Sequence, residues 1–503
     1  MQEEMQRSRS SAQTRQGALL QACVSDAYGS AIDKWPRGSL GLYAAGFTIL
    51  AYSATLALVS KYRNDGAIVI ETTRWLLVAA SVIAGVLFLT GLCWARVRPA
   101  RSTDLAIIIT VGLAARIILI PAAPIFVSDF YRYLWDGAVT ATGTNPWIHT
   151  PQSMLSALAD PANSRDVPPH LVELARTSGQ NMQSINHPDL STIYPATAQA
   201  VFAIAYWIKP WSLAALRAVL LLFDSATVLL LIVLLRSMNR PLHGIAWYWW
   251  NPLLLREVSH SAHMDVIVLP FVLIALLLAV RRSTMLASLI LALAVGAKVW
   301  PIVLIPLLIR MAARRLSEVV RFLAIFVVAS TVLWLPVVMG MLAGSSGFLA
   351  YASTWYNNDA VFRAIEWLTQ RGLVAFKLNP GFAPPMARLI VSGLLAGCII
   401  QQTRRLVPNV TELVRRSLLI IAAVFMLSPT QFPWYYLWML PLLAAAPRLS
   451  LLTYTALLPL YYFHYDFPWI VWVEHLPILA WFLIETRKLK RQSEASPVLA
   501  GGI

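Results

Sequence analysis

The sequence predicts an all-α polytopic membrane protein, and three observations carry that prediction. Of 503 residues, 58% are apolar and only 13% are charged, against about 25% charged in a soluble globular chain. Many apolar runs approach or exceed the roughly 18–20 residues that cross a bilayer as a helix. The excess of Lys and Arg, which gives a net charge of +16, lies in short loops between those runs. There it sets orientation and does not point to nucleic acid. A membrane β-barrel would show short alternating segments instead. Cys23, Cys93 and Cys398 are far apart, without disulfide or metal spacing.

Taken in order, residues 1–37 are polar, lack the apolar core of a cleavable signal peptide, and read as a cytoplasmic N-terminal tail. Residues 38–124 hold three transmembrane helices, at about 38–60, 74–95 and 104–124. Arg7, Arg9 and Arg15 place the tail inside, and Arg96, Arg98 and Arg101 do the same for the second loop. The third span therefore runs outward, and 125–211 becomes a long external loop poor in Lys and Arg. The run Ile193–Ile208, with Tyr194-Pro195 inside it, is short for a span. Laying it at the interface lets Leu213–Leu235 run inward and keeps Arg236 and Arg240 inside.

Residues 212–340 form a central transmembrane bundle. Its spans 244–257 and 266–280 flank a polar turn, His260–Asp265. The run 284–310 is bounded by Arg281-Arg282 on one side and Arg310, Arg314 and Arg315 on the other. Two short helices broken near Lys298-Val299-Trp300-Pro301 keep both clusters inside, because Pro301 lacks a backbone donor and breaks the helix. Residues 341–386 are a second external loop, 387–486 are C-terminal spans, and 487–503 are a cytoplasmic tail. The total is about 13–14 transmembrane helices of bilayer-crossing character, with both termini inside.

Every unusual polar cluster falls on the external side of this topology. The segment Ser128–Trp147 carries Asp129 where an apolar run ends, a costly place for a carboxylate without a task. Read as a helix, Asp129, Arg132, Tyr133 and Asp136 share one face at i, i+3, i+4 and i+7. A carboxylate so placed can take a proton from a substrate lying half in the lipid. His187-Pro188-Asp189, His263 and Asp265, Lys298, Trp434-Tyr435-Tyr436, and His464 with Asp466 complete the set. Blander readings stand beside these. Asp129 can cap a helix. Asp136-Gly137 and Gly143–Pro146 can be plain turns. His187 can be a satisfied loop imidazole, and His263 with Asp265 a capping pair. Trp434, Tyr435 and Tyr436 partly belong to the interfacial aromatic belt. Lys298 resists this treatment best: a lone ammonium between apolar runs needs an anionic partner, and a lipid phosphate would serve. Asp224, His464 and His475 receive no role from the sequence.

Four local stretches, taken together and in order, resemble integral membrane glycosyltransferases of the GT-C fold, most closely the bacterial polyprenyl-phosphate-mannose-dependent mannosyltransferases. They are Asp129–Pro146 (DFYRYLWDGAVTATGTNP), Asn186–Gln199 (NHPDLSTIYPATAQ), Gly296–Pro306 (GAKVWPIVLIP) and Ser428–Leu443 (SPTQFPWYYLWMLPLL). A weaker match is His260–Asp265. The pattern departs from the family at Tyr194-Pro195-Ala196, where Tyr-Pro-Pro is usual, and at Asn145-Pro146-Trp147, where Asn-Pro-Tyr is usual. Two extra spans precede the first motif.

The resemblance implies a GT-C bundle with a long external catalytic loop and interfacial helices. It implies transfer of a hexose, mannose by family default, from a polyprenyl-phosphate sugar to a lipid-linked or cell-envelope glycan acceptor, with inversion. Asp129 would be the general base. Lys298, helped by Arg132, would meet the donor phosphate. Tyr133, Asp136, Asn145, His187, Tyr194, His263, Asp265, Trp434 and Tyr435 would line the substrate site. No cofactor is obligatory; a divalent metal is allowed but not favoured, since Lys and Arg can meet the phosphate charge. The partners would be the donor, a glycolipid or glycan acceptor and the bilayer, with no nucleic acid. The site would face the external or periplasmic side of the inner or plasma membrane. The competing class is a transporter or flippase of lipid-linked sugars. A carrier needs polar groups along a path to both faces, and the cytoplasmic side offers mainly basic loop residues.

Overall fold

The computed structural model describes residues 38–62, 67–95, 102–160, 167–343 and 347–495. The basic residues assigned to the tail and second loop (Arg7, Arg9, Arg15, Arg96, Arg98 and Arg101), together with Cys23, lie outside the described residues. The described residues are 80% helical and form no strand. Among the described residues, five helices are long and apolar enough to cross a membrane: Leu40–Val59, Glu71–Ala95, Leu213–Ser237, Leu316–Leu342 and Pro380–Thr403. A bent pair, Pro252–His260 with Met264–Val280, makes a sixth if its two arms, which meet at 104°, count as one span. This is a helical membrane protein.

Among the described residues the long-helix count is below the 13–14 expected, in part because several of the expected spans are short and broken. The run 244–257 is not one helix. A 3-10 turn at Leu242–Ile245 leads to Ala246–Trp249, then to Pro252–Leu254 and a π-helix at Leu255–His260. Asn251 restarts the chain there by accepting from the Leu253 N–H at 3.0 Å, just before Pro252. The expected break in 284–310 is present: Thr284–Ala297 stops at Lys298, and a 3-10 turn at Trp300–Leu304 carries Pro301. The 434–447 and 449–465 runs are broken in the same way, by 3-10 stretches at Pro433–Met439 and Leu458–Phe463. In each case proline removes a donor and a tighter turn takes its place.

Among the described residues the first nine helices of 13 residues or more are α1 (Gly38–Val59), α2 (Ala67–Ala95), α3 (Ser102–Leu119), α4 (Asp129–Ala141), α5 (Ala196–Ile208), α6 (Leu213–Ser237), α7 (Val268–Val280), α8 (Thr284–Ala297) and α9 (Leu316–Ala343), followed by Ala360–Ala375, Ala383–Thr403, Val410–Leu427 and Ile470–Ala495. Helix α1 packs on α2 and α3, α6 on α7, α7 on α8, and α8 on α9. Helix α5, the run read from sequence as interfacial, is only 13 residues long and packs along α4. That crossing is close because Gly137 faces the backbone of Phe202; a Cβ there would sit 2.5 Å from its carbonyl oxygen.

Between these helices lies a set of buried charges. Arg116 of α3 donates to Asp224 of α6 at 2.7 Å and to the carbonyls of Gly112 and Trp249 at 2.9 Å each. Its guanidinium lies 3.3 Å from the Trp249 ring, and Tyr248 donates to the other Asp224 oxygen at 2.7 Å. Asp224, unassigned from sequence, is therefore a structural counter-ion. Arg217 of α6 donates to the carbonyls of Leu119, Ile120 and Ala122, and to that of His260. Arg256 donates to the Ile125 carbonyl at 2.8 Å and to the Ser261 hydroxyl, and lies 2.8 Å from His260 Nδ1. Together these groups hold the stretch between α3 and α4, which sets where α4 begins.

Breaking a buried pair by removing one partner costs about 3–5 kcal/mol, because the other charge is left uncompensated. Asp224→Leu is therefore expected to lower the thermal unfolding midpoint of the detergent-purified protein far more than Asp466→Leu, which breaks a half-exposed ion pair with Arg74. Equal midpoints for the two variants would remove Asp224 from this role.

Candidate active site

Helix α4 opens directly on Asp129. Ser128 takes the cap position but makes no side-chain cap bond, so Asp129 is the first helical residue and not the cap. A carboxylate in the first turn is favoured by the positive end of the helix. The side chain is 27% exposed, while Arg132, Tyr133 and Asp136 on the same face are buried.

Behind Asp129 stands His263. Its Nε2 lies 3.9 Å from Asp129 Oδ2, and its ring stacks on Trp434 at 3.9 Å with 15° between the planes. On the other side of the ring, Nδ1 is 3.0 Å from the Glu257 carbonyl oxygen and 3.1 Å from Glu257 Oε2. His263 and Glu257 are both fully buried. The turn that presents His263 passes through Ala262 at φ +61°, a left-handed conformation costly for a residue with a Cβ and concentrated at functional sites. It joins the π-helix Leu255–His260 to the 3-10 turn Met264–Ile267; π-helical turns also cluster at such sites.

Lys298 closes α8 and reaches the same region. Its ammonium donates to Asp265 Oδ1 at 2.7 Å, and the Trp438 indole N–H donates to that oxygen at the same distance. The ammonium also lies 4.1 Å from the Tyr435 ring and 5.5 Å from the Trp438 ring. Lys298 keeps 17% of its side chain exposed, whereas Asp265 is buried. Tyr435 shares a hydrogen bond of 2.8 Å with Tyr351, whose ring packs on Trp355. His187, exposed and at φ +48°, packs its ring on that same Trp355 at 5.0 Å.

Tyr194 packs edge-on against Tyr133 of α4 at 5.0 Å. Burial raises its phenol well above the usual range; the negative charge of Asp129 adds to this, and that of Asp265 adds further. Six residues singled out from sequence therefore meet in one place: Asp129, Tyr194, His263, Asp265, Lys298 and Tyr435, with Trp434 stacked behind the imidazole. His187 stands at the margin.

The other candidates are placed differently. Arg132 donates to the carbonyls of Asn186, His187 and Leu190. These bonds anchor that loop to α4. Tyr133 is buried and stacks on Phe202 at 4.8 Å. Asn145 shapes its turn: its side chain accepts from the Trp147 N–H at 3.0 Å and donates to the Pro336 carbonyl at 3.1 Å. Asp136 is buried and accepts from the Thr192 hydroxyl and the Gln199 amide, which tie α4 to α5.

Sequence reasoning missed Glu257, Tyr351 and Trp438. Glu257 carried a signal, a carboxylate at the end of the apolar run 244–257, overlooked because the run was read as a plain span. Tyr351 and Trp438 look like ordinary interfacial aromatics in the sequence. Among the described residues no group of three His, Cys, Asp or Glu side chains comes together as a metal site.

No family model, curated protein or solved structure matches this chain.

Burial raises Asp136 from its ordinary value to about 6, although Arg132, Thr192 and Gln199 all pull it down. The folded protein thus binds this proton more tightly than the unfolded chain. The resulting stability is fully present below the unfolded value of 3.8 and is lost as pH rises through about 6. Asp136→Asn removes that dependence, so the variant should gain on the wild type by up to about 3 kcal/mol between acidic and neutral pH. Melting curves of both proteins from pH 4 to 7 in one detergent check it; parallel curves would contradict the assignment.

Proposed function

We propose that this protein is a GT-C-type membrane glycosyltransferase. It moves a hexose, mannose by family default, from a polyprenyl-phosphate sugar to a lipid-linked or cell-envelope glycan acceptor on the external face of the cell membrane. One observation carries the proposal. A partly exposed carboxylate, Asp129, and a partly exposed ammonium, Lys298, are joined through one aromatic cluster: His263 beside Asp129 stacks on Trp434, which packs on Tyr435 under Lys298, and each charge is backed by a buried polar partner. Transfer from a sugar phosphate needs those two charges: one to take a proton, one to meet a departing phosphate.

In this reading the acceptor hydroxyl attacks the anomeric carbon from the side opposite the phosphate. The new C–O bond forms as the bond to the phosphate oxygen breaks, and the electron pair leaves with the phosphate. Asp129 removes the hydroxyl proton. The Lys298 ammonium stabilises the charge that grows on the leaving phosphate, as fixed charges do best in a partly dry site. Asp265 and Trp438 aim Lys298, and the Tyr435 face supports it. Trp434, Tyr435 and Trp438 offer flat apolar surface of the kind that stacks on sugar rings and isoprenoid carbons. The phosphate departs on its lipid, so no nucleotide-binding loop is needed. The bundle of 13–14 spans, the external orientation and the cytoplasmic termini belong to this reading, supported by the basic-loop pattern.

Asp129→Asn should lower sugar transfer by about 10²–10⁴-fold and leave the melting temperature unchanged. The assay is consumption of a polyprenyl-phosphate hexose by detergent-purified protein with a cell-envelope acceptor extract. Full activity in the variant ends the base assignment. A wild type that carries the donor across vesicles and leaves it intact would make the protein a flippase.

A further inference from the structure

The imidazole of His263 is placed with unusual constraint for a group that touches Asp129 only at 3.9 Å. Its Nδ1 faces two oxygens of Glu257, the carbonyl at 3.0 Å and a carboxylate oxygen at 3.1 Å. The carbonyl can only accept, so Nδ1 carries a hydrogen and donates it there; the carboxylate oxygen lies close by and takes no hydrogen bond of its own. The ring plane is set by the stack on Trp434. That leaves Nε2 directed at Asp129 Oδ2. Nε2 is buried and has no hydrogen-bond partner among the described residues. A buried orphan nitrogen calls for an explanation. In the neutral ring with hydrogen on Nδ1, Nε2 is a lone pair facing a carboxylate, an arrangement that becomes favourable only when a proton enters between them.

Resting on the reading of Asp129 as the base, we infer that Asp129, His263 and Glu257 form a proton-holding triad, in which the proton taken by Asp129 passes to His263 Nε2 and the buried Glu257 carboxylate stabilises the resulting imidazolium. The acceptor O–H bond breaks and its proton goes to Asp129 Oδ2. As that oxygen releases the proton to Nε2, Asp129 is again a carboxylate while the product leaves. The proton then returns through Asp129 to solvent, since Asp129 is the exposed member. No oxidant, metal or further reactant enters. Catalytic hydrogen bonds are commonly long without substrate and tighten in the complex, so 3.9 Å is a fitting starting distance.

The surroundings suit the role. Glu257 is held on its other oxygen by the Tyr462 hydroxyl at 3.2 Å. Its charge also acts on Tyr52 of α1 and on Tyr461, and Arg256 is the nearby cation facing Tyr52 and Tyr462. His263 meets the Trp434 ring from the Pro433–Met439 turn and Asp129 from α4. Glu257 is thus a positioning residue that acts through His263, in the manner of the buried carboxylate of a hydrolase triad.

Two measurements test this. The first needs no substrate: nitrogen NMR of protein labelled at histidine should show neutral His263 with its hydrogen on Nδ1. A neutral ring with hydrogen on Nε2 overturns the proposal, because that nitrogen could then take no proton. The second is kinetic. His263→Gln should lower single-turnover kcat by about 10²-fold with little change in donor KM. Glu257→Gln should fall by about 10-fold, and Glu257→Asp should recover part of the loss. The wild-type proton inventory should be curved, with two protons in flight, and that of His263→Gln linear. Wild-type kcat and a curved inventory in both Gln variants would overturn the triad while leaving Asp129 as base. Full activity in Asp129→Asn would instead fail the base reading itself.

Discussion

The arrangement depends first on three buried arginines that must find acceptors. Arg116, Arg217 and Arg256 are each at most 5% exposed. A guanidinium out of water is tolerated only when most of its donors are matched, and each of these three leaves a single buried nitrogen unpaired. Arg116 meets Asp224 and two carbonyls. Arg217 and Arg256 meet carbonyls along Leu119–Ile125, together with His260 and Ser261. These bonds draw the end of α3, the start of α4 and the π-helix onto one another. Asp129 begins α4 four residues after Ile125, and Glu257 adjoins Arg256. The charges that stabilise the bundle thus also set the distance between base and imidazole.

The site follows a simple division. The two groups open to a substrate, Asp129 and Lys298, are partly exposed, and the groups that aim them, His263, Glu257 and Asp265, are buried. Burial removes competing water and gives the rear partners one geometry. Exposure leaves the front pair free to change partner when a substrate arrives. Aromatic rings fill the space between, which keeps the local dielectric low without adding competing hydrogen bonds. The proposed glycosyl transfer uses this division directly, because proton removal and phosphate departure occur at opposite ends of one reacting bond.

Legibility varied by residue for physical reasons. Asp129 and Lys298 were visible because a charge at the end of an apolar run is costly wherever the run lies. His263 and Asp265 were visible as a polar turn between two apolar stretches. The break at Lys298–Pro301 was visible because proline removes a donor whatever packs around it. The carbonyl partners of Arg132 were not legible, because the loop Asn186–Leu190 that supplies them lies 54–58 residues away. Asp224 was equally mute, since its partner stands 108 residues away. Glu257 was passed over because its meaning comes from His263 across a turn at Ala262 whose left-handed backbone has no glycine to announce it.

By itself the sequence determined what depends on composition and local period: a helical membrane protein, the places where helices break, and a set of polar residues too costly to be idle. Tertiary structure decided which of those residues stand together around the Trp434–Trp438 aromatics and which are held elsewhere by backbone bonds. It also decided that much of the chain runs in short broken helices where the hydropathy alone reads as spans. The physical reason is the range of the forces involved. Hydrophobic period, proline breaks and the cost of a charge in an apolar run act within a few residues. Salt bridges, ring stacks and hydrogen bonds to distant carbonyls join residues that only folding brings to within 4 Å.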